Sequence, residues 1–455
     1  MPTAYTILFL LLILVAAATW IIPAGSYDYV DGVPVAGTYH AVAQNPQGVG
    51  DVLKAAFSGF YDAVDVCIFI LMVGGFLGVV MKTGAVDAGV SNIIRLLGGR
   101  EKWLIPILML LFGLGGTTYG MWEETMAFYP LLIPVFLAAG YDAVVGISVI
   151  LLGAGAGVIA STVNPFATGI AAGFAGVSLG EGILLRLLEW VAFEAAAIWF
   201  VMAYAARVKR NPSKSVVGVG AGRIQVTMDQ QVPFTPKRKV IMAIFTLTFL
   251  IMVYAVVPFD EMGLSLPTLG WWFPELSALF LVGGVVIGLI DRMSEEELTE
   301  TYVAGCADLL GVAFIIGISR GITVLMRDGA ITDTILHWGE AALSGAGAVS
   351  FTLLVFALYL PLTILIPSSS GLATLSIPIV APLGKFAGVG GDLVVTAFQS
   401  ASGLVNILTP TAAVVMGALA LGHVPYDRWV KYVWKLMAVF LLLALALLAA
   451  GVLLG

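Results

Sequence analysis

The chain has 455 residues, 60% of them hydrophobic and only 11% charged, where an ordinary soluble chain carries about 25% charged residues. So little charge cannot clothe even one water-soluble domain, so the apolar surface has to face lipid. A formal net charge of −7 argues against a nucleic-acid-binding face, and Cys67, Cys306 and three scattered histidines (His40, His337, His423) give neither a disulfide framework nor metal-ligand spacing.

In chain order, runs free of Asp, Glu, Lys and Arg cover residues 1–27, 103–122, 143–180, 240–259, 341–384, 393–426 and 436–455. Each is long enough to cross a bilayer, which takes about 20 apolar residues. The first lacks the basic start of a signal peptide and is predicted to remain as an amino-terminal helix. The longest polar stretch, 207–239, holds Arg207, Lys209, Arg210, Lys214, Arg223, Lys237, Arg238 and Lys239 among Gly, Ser and Pro. The positive-inside bias makes it a cytoplasmic linker between two halves. Lys82, Arg95, Arg100 and Lys102 form a second basic cluster, and Arg428, Lys431 and Lys435 a third; both belong on the same side. Segments 27–61 and 260–272, with a single basic residue between them, belong outside, as does the carboxyl terminus.

These assignments agree only if 103–140 and 350–388 each enter and leave the membrane on one side. Each has a polar, glycine-bearing break at its middle, Gly113 to Thr125 in one and Pro367 to Gly371 in the other. Irregular backbone at membrane depth persists only inside protein or beside a wet cavity, so both segments read as re-entrant hairpins. Two ordinary spans with a polar loop would spoil the charge bias downstream.

The halves repeat. Met81 to Ala85 (MKTGA) is answered by Met326 to Ala330 (MRDGA), and Pro165 by Pro410, both at an offset of 245; Pro130 to Pro134 is answered by Pro378 to Pro382 at 248. The charge assignment opens the first hairpin to the cytoplasm and the second to the outside, so the repeats are inverted, as in many secondary transporters. The expected fold is an all-α polytopic membrane protein of two inverted repeats, each with a re-entrant hairpin and a broken transmembrane helix. Residues 1–206 form the first repeat with its amino-terminal helix and the hairpin 103–140. Residues 207–239 form the linker, and 240–455 the second repeat with the hairpin 350–388 and a carboxyl-terminal helix. The broken helices carry Ser161 to Pro165 and Asn406 to Thr411. Proline removes a helical hydrogen bond there, and the exposed half-helix ends can hold a carboxylate or a cation.

Glu123 and Glu124 occupy the first hairpin tip with no basic residue nearby in sequence. Two intramembrane carboxylates cost roughly 2.5–3.5 kcal/mol each and point to proton or sodium coupling, or to capture of a substrate ammonium. Arg320, within Gly317 to Gly321 of an apolar span, suits a substrate carboxylate or an internal ion pair with Glu194. Asp62, Asp65, Asp308 and Glu189 fall near predicted span ends and read as solvated or interfacial. The expected site lining is Glu123, Glu124, Thr125, Ser161, Thr162, Asn164, Arg320, Ser368, Ser369, Ser370, Gly371, Asn406, Thr409 and Thr411.

Three of these motifs, Gly120 to Pro130 (GMWEETMAFYP), Ser161 to Gly169 (STVNPFATG) and Pro367 to Leu375 (PSSSGLATL), resemble the YfcC-like branch of the anaerobic C4-dicarboxylate carrier family. That family belongs to the ion-transporter superfamily that also holds the divalent-anion/sodium symporters. The resemblance covers nearly the whole chain except 207–239. It implies inverted repeats, a dimerising scaffold, and a transport domain whose tips and broken helices meet at the substrate. Where the symporters carry Ser-Asn-Thr at each tip with sodium beside it, this chain reads Glu123-Glu124-Thr125 and Ser369-Ser370-Gly371, the two places where sodium would bind.

The function expected is secondary active transport of small carboxylates or amino acids across the inner (cytoplasmic) membrane by elevator-type alternating access. No GxxxxGK[ST] signature is present, so a proton or sodium gradient, or exchange, would drive it. A passive channel is the alternative, and an intramembrane enzyme using the glutamate pair a weaker one. The partners expected are the substrate, the bilayer and a second copy of the chain, with no cofactor beyond the coupling ion.

Overall fold

A computed structural model describes residues 4–31, 33–86, 88, 89, 92, 100–178, 180–218, 233–256, 259, 265–271 and 273–454. Arg95, Arg223 and most of the linker's centre lie outside the described residues.

Helix α1 (Ala4–Ala18) opens the chain. Two short antiparallel ribbons follow, Gly25–Ser26 paired with His40–Ala41 and Tyr29–Val30 with Val33–Pro34. The first charge-free run is therefore not one long span: α1 is about 22 Å long at 1.5 Å per residue, and the run ends in turn and ribbon. Helices α2 (Val49–Asp62) and α3 (Val64–Lys82) are parted only by Ala63. The stretch expected to form the first hairpin comprises α4 (Leu104–Tyr119), a short 3₁₀ segment Glu123–Phe128 and α5 (Tyr129–Ala138). Then come α6 (Ala143–Ile159), the break, a one-turn π segment Pro165–Gly169, α7 (Ile170–Ala175) and α8 (Ile183–Arg210).

After the linker, α9 (Pro236–Val256), α10 (Phe273–Asp291) and α11 (Glu295–Asp328) lead into α12 (Thr332–Leu343). Ser294 caps α11 by accepting from Glu297 N at 3.1 Å, and three glutamates fill its first turn, both favourable at a helix N-terminus. The stretch expected to form the second hairpin is α13 (Ala348–Leu365) and α14 (Ser369–Phe386); α15 (Gly391–Asn406), the second break, α16 (Ala413–Leu421) and α17 (Tyr426–Leu454) complete the chain. Shifted by 245, α4 falls on α13, α6 on α15, α7 on α16 and α8 on α17. Helices α2 and α3 together fall on the single helix α11. Among the described residues, α3, α10, α11, α13 and α17 are long and apolar enough to cross a membrane.

The helices form two bundles. In the first, α3 packs on α10 and α11, and α11 also packs on α1 and α2. Small residues allow this: a Cβ on Gly74 would lie 2.5 Å from the Gly305 carbonyl, the close approach that drives helix association in lipid. The second bundle wraps α4, α5, α8, α13, α14 and α17 around α6 and α15. Every residue of α6 is buried, as expected of a helix apolar nearly all round at a bundle's core, and so is nearly all of α15 although it carries Thr396, Gln399, Ser400 and Ser402. The bundles meet where α3 touches the Glu123–Phe128 segment and α11 touches α16.

Candidate substrate site

The two breaks start side by side. Helices α6 and α15 cross just before they end: a Cβ on Gly403 would lie 2.6 Å from Ile159 Cα, and one on Gly155 2.7 Å from Ile407 Cδ1. At Gly403 only glycine allows the two backbones this near.

Broken backbone at this depth needs internal partners, and neighbouring side chains supply them. Thr117 of α4 donates its hydroxyl to the Ala160 carbonyl at 2.6 Å and accepts from Thr162 N at 3.1 Å, while Thr162 Oγ1 donates to Thr117 O at 2.9 Å. Thr168 Oγ1 donates to Ser161 Oγ at 2.7 Å. Asn164 Oδ1 accepts from Ala167 N at 3.4 Å, and its amide group lies over Gly120, where a Cβ would come within 2.5 Å of Nδ2. Gly120 itself holds φ +77°, the left-handed region that ends α4. In the second break, Trp429 Nε1 donates to Ile407 O at 3.2 Å and Tyr426 OH to Leu408 O at 2.8 Å. Ser319 Oγ donates to Thr411 O at 2.6 Å, and the Thr409 and Thr411 hydroxyls bond each other at 2.8 Å.

At the seam between the bundles lies a small cavity of about 40 Å³. Glu123 from the first tip, Arg320 and Ser319 from α11, and Asn406 and Thr411 from the second break supply its polar walls. Val66, Trp122, Ile316, Pro367, Ala412, Ala413 and Val414 complete it. Arg320 owes its place to the glycines around it: a Cβ on Gly59 of α2 would strike the Gly317 carbonyl, and one on Gly321 would lie 2.7 Å from Ala55 O. Gly317 and Gly321 thus face α2, and Ser319 and Arg320 turn toward the break. Glu123 and Arg320 feel each other's charge without a direct ion pair among the described residues. Asn406 Oδ1 is buried and has no hydrogen-bond partner among them.

The other expected residues lie outside this lining. Glu124 turns back on its own loop, its Oε2 accepting from Trp122 N at 3.1 Å, and the Thr125 hydroxyl donates to Trp122 O. Ser161, Thr162 and Asn164 hold the first break as described. Ser368 caps α14, accepting from Gly371 N at 3.2 Å, with Ser370 Oγ 3.4 Å from its hydroxyl; of the second tip only Pro367 lines the cavity, so Ser369 and Gly371 do not reach it.

Two expectations are corrected. Arg320 and Glu194 do not pair: Glu194, on α8 in the other bundle, packs where a Gly113 Cβ would be, and neither of its carboxylate oxygens has a partner among the described residues. Glu189 is fully buried rather than interfacial, because α8 turns it against α15, where Ser400 Oγ donates to Oε2 at 3.2 Å. Asp62, Asp65 and Asp308 lie on the surface of the protein. Thr117, Ser319 and Trp429, which pin the breaks, were not singled out by sequence. Thr117 lies inside the Gly113 to Thr125 break and Ser319 beside Arg320, whereas nothing local marks Trp429.

The family model for the anaerobic C4-dicarboxylate carrier matches residues 1–453. The chain belongs to that family. Among its relatives, an uncharacterised protein of Haemophilus influenzae is 35% identical, with 99% of this chain and 97% of that one covered. Escherichia coli YfcC, whose name proposes a basic amino acid antiporter, is 30% identical, with 100% and 97% covered. Two solved transporters align at low likeness. Alcanivorax borkumensis YdaH has 14% identity and a TM-score of 0.46, covering 99% of this chain and 98% of its own. Neisseria gonorrhoeae MtrF, described as illuminating a class of antimetabolite efflux pumps, has 18% identity and 0.44, covering 99% and 95%. Family membership together with the apolar helices makes the carrier a multi-pass membrane transporter.

Proposed function

We propose that the carrier moves small amino acids, basic ones included, across the inner membrane by secondary active transport, with Glu123 and Arg320 as the charged walls of its binding site. The observation that carries this reading is the pairing of one carboxylate and one guanidinium, unpaired with each other, in a single cavity. A zwitterion brings a carboxylate that Arg320 can hold bidentately and an ammonium that suits Glu123. A dicarboxylate would meet Glu123 as a like charge. The name of the Escherichia coli relative points the same way.

The cavity of about 40 Å³ is far smaller than the several hundred Å³ usual for a small-molecule site, so the bundles must part for a substrate to enter. Their walls fit that demand, since Val66, Ile316, Ser319 and Arg320 belong to one bundle and the tip and break to the other. Movement of the second bundle past the first would expose the site alternately, the elevator type of cycle, with inverted repeats supplying its two equivalent end states. For coupling, the Thr125 and Ser368 hydroxyls are engaged with backbone, which favours a proton at Glu123 over sodium at the tips. A thermal-shift screen of purified carrier tests the reading, because a ligand that binds only the folded state raises its melting temperature. Lysine or arginine should stabilise it and C4-dicarboxylates should not, with no requirement for sodium; the reverse preference would overturn the proposal.

A further inference from the structure

Where the last turns of α8 meet the first turns of α17, a groove of about 320 Å³ opens. Four cations stand at its rim: Arg207, Lys214, Lys431 and Lys435. Its floor is apolar, with Trp199 and Val439 74% and 44% exposed. Among the described residues only Lys431 of the four has a carboxylate partner, Asp427 at 3.5 Å. The rim is held in shape by the chain that leaves α8. Tyr204 OH and Ser215 Oγ both donate to Asp142 Oδ2, at 2.6 and 2.7 Å, and Val216 N donates to Tyr204 OH at 3.1 Å. Arg428 Nη1 reaches Val216 O at 3.4 Å from α17. This strap brings Lys214 to the groove and bridges the two helices.

We propose that the groove binds one anionic diacyl phospholipid of the surrounding bilayer, its phosphate among the four cations and its acyl chains along the Trp199 and Val439 floor. The charge lies at helix ends and the apolar floor one to two turns deeper, the vertical order of headgroup and chain in a leaflet. The positive-inside bias puts this end at the cytoplasmic leaflet, the one rich in anionic lipid. A free phosphate would satisfy the rim and leave the floor bare. A zwitterionic lipid would cover the floor and leave the excess positive charge. The inference is independent of the substrate assignment.

The test is thermal stability of the full-length carrier in neutral detergent, titrated with phosphatidylglycerol, phosphatidylcholine or inorganic phosphate. Phosphatidylglycerol should raise the melting temperature saturably, and the other two should not. Lys431→Gln with Lys435→Gln should weaken that response roughly tenfold or more, and Trp199→Ala should weaken it too while leaving any effect of phosphate unchanged. The same-side control Lys102→Gln with Lys239→Gln should respond as the wild type does. Equal responses in the two double variants, or a response to inorganic phosphate as large as that to phosphatidylglycerol, would overturn the proposal. All four lysines are surface groups, and an unshifted melting temperature in phosphatidylcholine verifies that each variant is folded.

Discussion

Adjacent glutamates in the first hairpin turn meet different surroundings and should fail in different ways. Glu124 Oε2 receives the Trp122 amide, so Glu124→Gln should lower stability by no more than about 1 kcal/mol and leave substrate affinity nearly unchanged. Glu123 faces the cavity, where it is to hold the substrate ammonium, so Glu123→Gln should weaken amino-acid binding on the order of tenfold or more, abolish uphill accumulation, and move the melting temperature little. Parallel melts and proteoliposome assays check both, and interchanged phenotypes would reverse the assignment. For Arg320, removing the charge as Gln should weaken substrate binding on the order of 100-fold, with Lys intermediate because it keeps the charge but loses the bidentate fork. Formal charges and polar breaks in apolar runs made Glu123, Arg320, Asn406 and Thr411 legible in the sequence. Which glutamate faces the cavity was not, because the tip is 3₁₀ and each residue there turns the side chain by about 120°.

The breaks depend on close backbone approach and on borrowed hydrogen bonds. Gly403→Ala would place a methyl 2.6 Å from Ile159 Cα and should cost about 1–3 kcal/mol as overpacking, read as a lower melting temperature. Thr117→Val removes the partner of the Ala160 carbonyl, while the Thr162 amide keeps its bond to Thr117 O at 2.8 Å, and should cost a similar amount, about 1–3 kcal/mol for a buried group left unpaired. A neutral result for either would mean that the breaks relax freely. Proline with Ser, Asn and Thr in a long apolar run marked both breaks in advance. The burial of Glu189 could not be read in the same way, because its height on α8 follows from packing against α15 rather than from distance along the chain to a polar segment.

At the scale of the whole molecule, the match of element order at an offset of 245 was visible in three short motifs spaced by 245 to 248 residues, whereas the division into two bundles comes from tertiary packing of glycine faces that composition does not reveal. If the bundles move past one another, tying them should stop the cycle. In a background with Cys67 and Cys306 replaced by Ser, Val66→Cys with Ala413→Cys places one thiol on each bundle at the cavity wall. Oxidation should arrest exchange and reductant should restore it; exchange that continues in the cross-linked protein would contradict relative movement of the bundles. The most direct test of the site itself is solute counterflow in proteoliposomes. Vesicles preloaded with unlabelled lysine or arginine should transiently accumulate the labelled amino acid in a saturable manner, and Arg320→Gln should abolish this accumulation. Counterflow of a C4-dicarboxylate without any of an amino acid, or flux that does not saturate, would contradict a site built from Glu123 and Arg320.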